Sequence, residues 1–435
     1  MNSGAAFADP GFNLYGYNER NELTDSERYL GMSFDDNSQP VSSEDRAYGY
    51  DNIGNRTEAA GWDSEQSIAM QLTYTANQVN QYDLISANIG ADETPVYDDD
   101  GNMTGYEGMN YTYNAENRLV SVEPQSPVVG DIRVDFTYDF MGRRVAKNIA
   151  RYDATLKAQL ETRNLFLYDG WNLIQEITQN SELGAQNSSF YVWGLDLSQS
   201  MQGAGGVGGL LARVSGGASH TYTYDANGNV GQLIDGGANI AAHYEYDPYG
   251  NTIKAVGSLA EGNPYRFSTK YFDVETELYY YGIRYYSPEL GRWLTMDPIG
   301  ERGGLNLYGF IGNNVSNSVD LFGLVLYAFD GTGNNDRNVA KGYYTHVHTL
   351  WKDYEGREKF YTKGVGSDWY SFIHGGLHGL GGQSRLEKAY KKFLQDYKEQ
   401  VANGAPIDDI DIIGFSRGAA LARAFVNLLS SGDII

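Results

Sequence analysis

The 435-residue sequence predicts a mainly β array of twisted hairpins followed by a shorter, partial α/β domain. Three observations predict it. A Tyr-x-Tyr-Asp unit recurs through the first part, and a Gly- and Asn-rich signature runs from Asp297-Pro298-Ile299-Gly300 to Asp320-Leu321-Phe322-Gly323-Leu324. Directly beyond it the apolar pattern changes to a continuous run and then to helical spacing. With 41% hydrophobic and 14% aromatic residues the chain has ample material for a core and is not disordered.

The repeats define the first part. Tyr48-Gly-Tyr50-Asp51 with Gly54-Asn55 recurs as Tyr222-Thr-Tyr224-Asp225 with Gly228-Asn229, and as Tyr244-Glu-Tyr246-Asp247 with Gly250-Asn251. Weaker copies lie at Tyr111/Tyr113/Asn114, Phe136/Tyr138/Asp139/Gly142 and Tyr168/Asp169, and Tyr15-Gly-Tyr17-Asn18 already resembles one, so the sequence is expected to start mid-array. Aromatics two apart share one face of a strand, where cross-strand aromatic pairs stabilise a sheet. The Asp then caps a turn, and the Gly three residues on accepts positive φ. Hairpins that bury their faces only against neighbours are expected to coil into one continuous twisted sheet.

The net charge is −24, yet residues 325–435 carry 13 basic and 13 acidic residues, so the whole excess lies upstream. An acidic first part repels a phosphate backbone, and no nucleic-acid partner is expected. The absence of cysteine excludes disulfides and thiolate metal sites. Met1 to Pro10 lacks a basic and apolar signal pattern, and no stretch approaches the roughly 18 apolar residues of a membrane helix, so export by a non-Sec route is expected. Gly203-Ala-Gly205-Gly-Val-Gly208 fits a dinucleotide fingerprint but has no βαβ context, and no cofactor is expected.

These residues resemble the Rhs/YD-repeat family, which also includes the C components of Tc toxins and the teneurin shell. The resemblance covers nearly all of residues 11–324. Its most specific stretch is Tyr271-Phe272-Asp273, Gly282-Ile283-Arg284-Tyr285-Tyr286-Ser287-Pro288, Gly291-Arg292-Trp293-Leu294, Asp297-Pro298-Ile299-Gly300, Gly303-Gly304-Leu305-Asn306-Leu307-Tyr308 and Asn313-Asn314, which looks like the Rhs-associated core. The resemblance implies a β-shell over residues 1–250, a capping and self-cleaving core over 251–324, and an enclosed toxin over 325–435. It further implies an aspartyl pair, Asp297 and Asp320, cutting between Leu324 and Val325. Two close carboxylates cannot both ionise, so one serves as base toward water while the other donates a proton to the carbonyl. The alternative reading is that both are turn residues. The sequence departs from the family pattern at Leu321 and Val315, where proline is usual, and at Ser287, where Asp is common; slowed cleavage is expected.

Downstream, Val325-Leu326-Tyr327-Ala328-Phe329 reads as a parallel strand buried on both faces, broken at Asp330-Gly331-Thr332-Gly333-Asn334-Asn335. Ala389, Tyr390, Phe393, Leu394, Tyr397 and Val401 follow at helical spacing. Ile410 to Ile413 is another strand, then Gly414-Phe415-Ser416-Arg417-Gly418, then a helix from Ala419. The two glycines permit a sharp strand-to-helix turn that presents Ser416 as nucleophile, with the Arg417 backbone N–H as an oxyanion donor. With Thr345-His346-Val347 and Gly364-Val365-Gly366, these segments resemble, in order, a bacterial α/β-hydrolase family containing type VI secreted lipase effectors. That implies a serine lipase or phospholipase acting on lipid, with Gly331-Thr332 as the second oxyanion donor. It also implies a cognate immunity protein and type VI spike components as partners. No metal is expected, because His346 and His348 lack a carboxylate at ligand spacing.

The reading is the C-terminal part of an antibacterial Rhs effector, made in the bacterial cytoplasm and delivered to target cells. The alternative is a non-enzymatic shell or adhesion module with a hydrolase remnant. Only 19 residues follow Ser416, with Asp433 but no histidine, so the chain as written is expected to be an incomplete hydrolase. His346, His348, His374 and His378 would serve as base only by breaking the usual Ser, acid, His order.

Overall fold

The computed structural model describes residues 11–63, 68–181, 184–298, 300–315 and 320, and the short strands Ala328–Phe329, Tyr361–Thr362 and Ile413–Gly414. The chain forms two compact units, one of Met1–Gly194 with Ala204–Phe322, the other of Leu195–Gly203 with Gly323–Ile435.

The first unit is an antiparallel meander in which every strand pairs with its sequence neighbour. A six-stranded sheet runs from Gly11–Tyr17 to Tyr82–Ala87, and a fourteen-stranded sheet runs from Val96–Tyr97 to Thr252–Val256. A smaller sheet follows, made of Tyr271–Asp273, Leu278–Tyr280, Tyr285–Ser287 and Arg292–Trp293. We call this sheet, with the segment that leads on to Val315, the cap. The expected single continuous sheet is thus corrected to two long sheets and the small cap sheet. The break falls between Ala87 and Val96, where Gly90 takes φ +95° and only the isolated bridge Ile85↔Glu93 continues the pairing. Pro95 has no N–H to give to a ladder there.

Turn chemistry is what repeats. Asp51, Asp225 and Asp247 each accept two backbone N–H groups on Oδ1, from residues two and four further on, and the Asn four further on donates its Nδ2 to Oδ2 at 2.8–2.9 Å. Asn77 and Asn114 accept the same two N–H groups in copies without Asp. The fourth turn residue is left-handed in each copy, Gly54 at φ +84°, Gly228 at +74° and Gly250 at +94°. At Gly250 a Cβ would also stand 2.7 Å from the Phe267 ring, so glycine is required twice over.

The second tyrosine of each repeat makes the link between hairpins. A register shift precedes Tyr50, Tyr138, Tyr168, Tyr224 and Tyr246, a bulge that re-aims the side chain. Its hydroxyl then donates to the carbonyl of the first residue of an earlier strand: Tyr50 to Leu23, Tyr138 to Leu119, Tyr168 to Arg144, Tyr224 to Leu210 and Tyr246 to Val230. Trp193 substitutes in one repeat, its Nε1 donating to the Leu173 carbonyl at 2.7 Å. Two aromatics per repeat do share a face, since Tyr222 and Tyr224 stack at 6.5 Å, and Tyr244 and Tyr246 at 6.2 Å. The expected cross-strand aromatic pairs form at Phe12/Tyr29 and, in the cap sheet, at Phe272/Tyr279, Tyr280/Tyr285 and Tyr286/Trp293, but other repeat aromatics meet different partners. Tyr222 lies opposite Leu233, and Tyr244 opposite Ala255, while the rings meet the cap: Phe136 on Tyr285, Phe166 on Tyr271 and Tyr246 on Phe267.

At the centre of that contact is a buried charge. Arg144, 1% exposed, is ion-paired with fully buried Asp273 of the cap, and Lys147 Nζ lies 3.0 Å from the same carboxylate and 2.9 Å from Glu275. The Arg144 guanidinium sits 4.5–5.2 Å from the ring centroids of Tyr280, Tyr271, Phe166 and Phe136. Burial works against its charge, but Asp273 and the surrounding tyrosines hold the Arg144 pKa well above the ordinary value.

The second unit shows a three-stranded parallel sheet in the order Tyr361–Thr362, Ala328–Phe329, Ile413–Gly414. Parallel neighbours require crossover connections, as expected downstream of the signature. The helices expected over 386–401 and from Ala419 lie outside the described residues.

Replacing Asp273 by Asn leaves two buried cations short of their shared partner. We expect a loss of about 3–5 kcal/mol in denaturant unfolding of this unit. The double variant Arg144→Met/Asp273→Leu should lose less than the sum of its single variants, measured as a double-mutant cycle.

Candidate functional site

The cap carries the residues of the candidate cleavage centre. Strand Arg292–Trp293 is held by the Trp293 N–H to the Tyr308 carbonyl at 3.0 Å and by a bridge from Arg292 to Gly309. After it the chain turns at Asp297, whose N–H donates to the Leu307 carbonyl and whose carbonyl accepts the Gly300 N–H, both at 2.8 Å. Asp297 is therefore a turn residue by its backbone, and its carboxylate points to another partner. It faces Arg284: Nη2 donates to Asp297 Oδ2 at 3.0 Å.

Arg284 is 7% exposed and lies over the Trp293 indole at 4.2 Å from the ring centroid. Burial pushes its pKa below the ordinary value, and the negative charges of Asp297 and then Asp320 oppose that shift. Asp320 acts on the buried Tyr281 hydroxyl as well. Tyr281 packs edge-on to Trp293 at 5.0 Å. Arg284 Nη1 is buried with no hydrogen-bond partner among the described residues.

Arg284 was absent from the candidate residues. The signal was present in the sequence, because an arginine in the run Tyr279 to Tyr286 enters a buried face only with an anion to meet it. Of the departures from the family pattern, Ser287 caps its own turn, its Oγ accepting the Leu290 N–H at 3.2 Å, the task an Asp would perform. Val315 is 4% exposed and packs in the cap cluster with Trp293 and Phe310. Leu321 lies outside the described residues, as do Leu324 and Val325.

The segment that leads to Asp320 is tied to both long sheets. Asn313 Nδ2 donates to the Gly54 carbonyl at 2.8 Å and Tyr308 OH to the Gly101 carbonyl at 2.6 Å, while the Leu305 carbonyl accepts from Asn80 Nδ2 at 2.9 Å. The glycine-rich loop after Gly203 uses its backbone internally, since the Gly208 N–H goes to Thr269 Oγ1 and the Gly205 carbonyl accepts from Lys270 Nζ, both at 2.8 Å.

In the second unit Ser416, Arg417, Gly331 and Thr332 lie outside the described residues, as do His346, His348, His374 and His378. The strand that leads to the serine is described. Ile413–Gly414 pairs in parallel with Ala328–Phe329, the strand that precedes Gly331. The first glycine of Gly414-x-Ser416-x-Gly418 thus ends a strand adjacent to the one feeding the Gly331-Thr332 loop.

Comparison with known proteins agrees with this division. Residues 324–435 match the family described as T6SS, phospholipase effector Tle1-like, catalytic domain. The chain is 32% identical over 246 residues to double-stranded DNA deaminase toxin A of Burkholderia cenocepacia, covering 52% of this chain and 16% of that protein. It is 28% identical over 280 residues to tRNA nuclease WapA of Bacillus subtilis, covering 63% of this chain and 10% of the other. Among solved structures, TcdB2-TccC3-Cdc42 matches with a TM-score of 0.49 and 21% identity over 72% of this chain and 17% of that one. The chain spans under a fifth of the length of each of these proteins.

Proposed function

We propose that this chain is part of a polymorphic Rhs toxin in which the β unit encloses a lipid-hydrolysing serine enzyme and releases it by aspartyl self-cleavage after Leu324. The match of residues 324–435 to a phospholipase effector catalytic domain carries the reading, supported by the parallel strands that lead into the two expected oxyanion loops. Relatives named for a deaminase and a nuclease do not bring those activities here, because the downstream match is to a phospholipase.

For cleavage, Asp297 and Asp320 act as the acid–base pair. One takes a proton from water as its oxygen bonds to the Leu324 carbonyl carbon, and the other, protonated, donates to the carbonyl oxygen. Collapse returns the proton to the leaving nitrogen, giving a Leu324 carboxylate and a Val325 amine. Arg284, bonded to Asp297 Oδ2, orients that carboxylate. For the enzyme, Ser416 attacks the ester carbonyl, and the N–H groups of Arg417 and the Gly331-Thr332 loop receive the oxyanion. The lipid is the substrate, and a cognate immunity protein and type VI spike components are the partners of the delivered toxin.

Intact-mass measurement of the purified protein should show two pieces, the smaller beginning at Val325, and Asp320→Asn or Asp297→Asn should leave one chain. Arg284→Met should slow the cut by at least tenfold, with Arg284→Lys restoring part of it. An uncut wild type that retains its fold would overturn the aspartyl assignment.

The cut piece should co-elute with residues 1–324 on a sizing column, since enclosure needs no covalent link. Separation in ordinary buffer counts against encapsulation.

Fluorophosphonate labelling abolished by Ser416→Ala identifies the nucleophile. Loss of phospholipid turnover on alanine substitution of His346, His348, His374 or His378 would place the base within this chain. With no histidine after Ser416 in residues 325–435, little phospholipid turnover is expected of them, and turnover abolished by Ser416→Ala would overturn that expectation.

A further inference from the structure

The two long sheets meet twice. Where Tyr82–Ala87 gives way to Val96–Tyr97 they are joined by the chain itself, by the bridge Ile85↔Glu93 and by the Tyr82 N–H to Tyr97 OH at 3.3 Å. The second meeting is between their far ends, because the turns of both ends rest on the cap. The Gly54 carbonyl accepts from Asn313 Nδ2 at 2.8 Å, and the Gly250 carbonyl accepts from Tyr279 OH at 3.1 Å. There the early strands Leu23–Leu30 and Arg46–Tyr50 face the late strand Ile240–Tyr246. Among the described residues no backbone-to-backbone hydrogen bond crosses this seam.

Side chains make the contacts across it, and they divide into two zones. Beside the cap the contacts are aromatic. Tyr48 packs edge-on to Tyr249 at 4.9 Å, Tyr50 and Tyr249 share a hydrogen bond between their hydroxyls, and the Arg56 guanidinium lies 4.3 Å from the Tyr249 ring centroid. Tyr249 is in turn fixed to the cap, its carbonyl accepting from Tyr286 OH at 2.8 Å. In the other zone the contacts are ionic. Arg28 Nη2 donates to Glu245 Oε2 at 3.0 Å, and Arg46 Nε lies 3.7 Å from Asp247 Oδ2. Glu245 also meets His243 Nε2 at 2.9 Å, and Glu44 comes within 3.5 Å of Arg28 Nε.

The ionic zone is also hollow. A cavity of about 630 Å³ lies there, with Phe12, Tyr15 and Arg28 on one side and Tyr224, His243 and Glu245 on the other. A packed interior leaves few voids larger than a water molecule, so at this level the two ends are held by a few polar contacts and not by interdigitated side chains. Ion pairs that border water part readily, since each group regains its hydration. Parting a ladder instead leaves a whole row of backbone groups to be hydrated at once.

We propose that this seam is a hinged opening of the first unit, parting at Arg28 and Glu245 while Tyr249 holds the cap end closed. Resting on the reading that the unit encloses residues 325–435, the seam is the route by which the cut piece leaves. Within each sheet, opening between neighbouring strands would break a ladder, and at the Ala87–Val96 junction the chain itself prevents it.

The sequence has no cysteine, so Ser43→Cys with Val256→Cys places two thiols at exposed positions on the two sides of the seam. Spin labels on this pair should report a single distance in the otherwise unchanged full chain. Adding Glu245→Arg, which sets two cations face to face, should raise the ratio of a longer distance to the parent one roughly tenfold. Should that variant fold poorly, Arg28→Gln deletes the same contact and should move the ratio in the same direction. A control pair across an intact ladder, Arg163→Cys with Gln179→Cys, should keep one distance in both backgrounds. Bridging the thiols at 43 and 256 with a short bismaleimide should retain the cut piece on residues 1–324 in the Glu245→Arg background, where the unbridged protein releases it. Seam labels that keep the parent distance in both variants, or control labels that part along with them, would overturn the seam. A cut piece lost as fast from bridged as from unbridged protein strikes the enclosure reading instead, because the label distances decide the seam without it.

Discussion

The first unit depends on a buried ion cluster, Arg144 and Lys147 of one strand with Asp273 of the cap. Removing three charged groups from water costs several kcal/mol each, and the cluster persists only because each charge meets its opposite and the guanidinium is walled by aromatic faces. Such an arrangement tolerates no slip. A one-residue shift of the strand that carries Arg144 would put its side chain on the opposite face, so the cluster fixes the register of the repeat sheet against the cap. Around it, ring contacts such as Phe136 on Tyr285 and hydrogen bonds such as Tyr271 OH to Glu176 and the Arg144 N–H to Tyr280 OH join the two.

From that fixed point the rest of the unit follows by repetition. Each hairpin satisfies its own turn through an Asp or Asn side chain, and each second tyrosine reaches back to an earlier strand, so neighbouring repeats are joined by side chains as well as by ladder bonds. Because every strand pairs with its sequence neighbour, most contacts are local and the loop-closure cost of the long sheets is small. The non-local cost falls on the cap, whose residues bond to partners more than 200 positions away, such as Arg292 to the Asn80 carbonyl and Tyr308 to the Gly101 carbonyl.

The cap therefore does two things with one set of strands. Its buried aromatic side closes the sheets, and the strand that provides Trp293 also presents Asp297 to Arg284. The proposed self-cleaving carboxylate pair would need a rigid support, and the segment anchored at Gly54, Asn80 and Gly101 is such a support.

By itself the sequence determined what depends on near neighbours. The Tyr-x-Tyr-Asp spacing specified strand, turn and the left-handed glycine, since a turn is closed by its own Asp side chain and needs nothing distant. The change of period after Leu324 separated the two parts, and Gly414 before Ser416 ends a strand as expected. What only the tertiary structure decided involves residues far apart in the chain. That Phe136 meets Tyr285 of the cap and that Arg284 stands beside Asp297 turn on contacts between residues a dozen or more positions apart. Local pattern sets which way a side chain points from its strand, but the partner it meets is chosen by how the sheets and cap come together, because burial of a charge is settled by the whole packed surface and not by its neighbours in sequence.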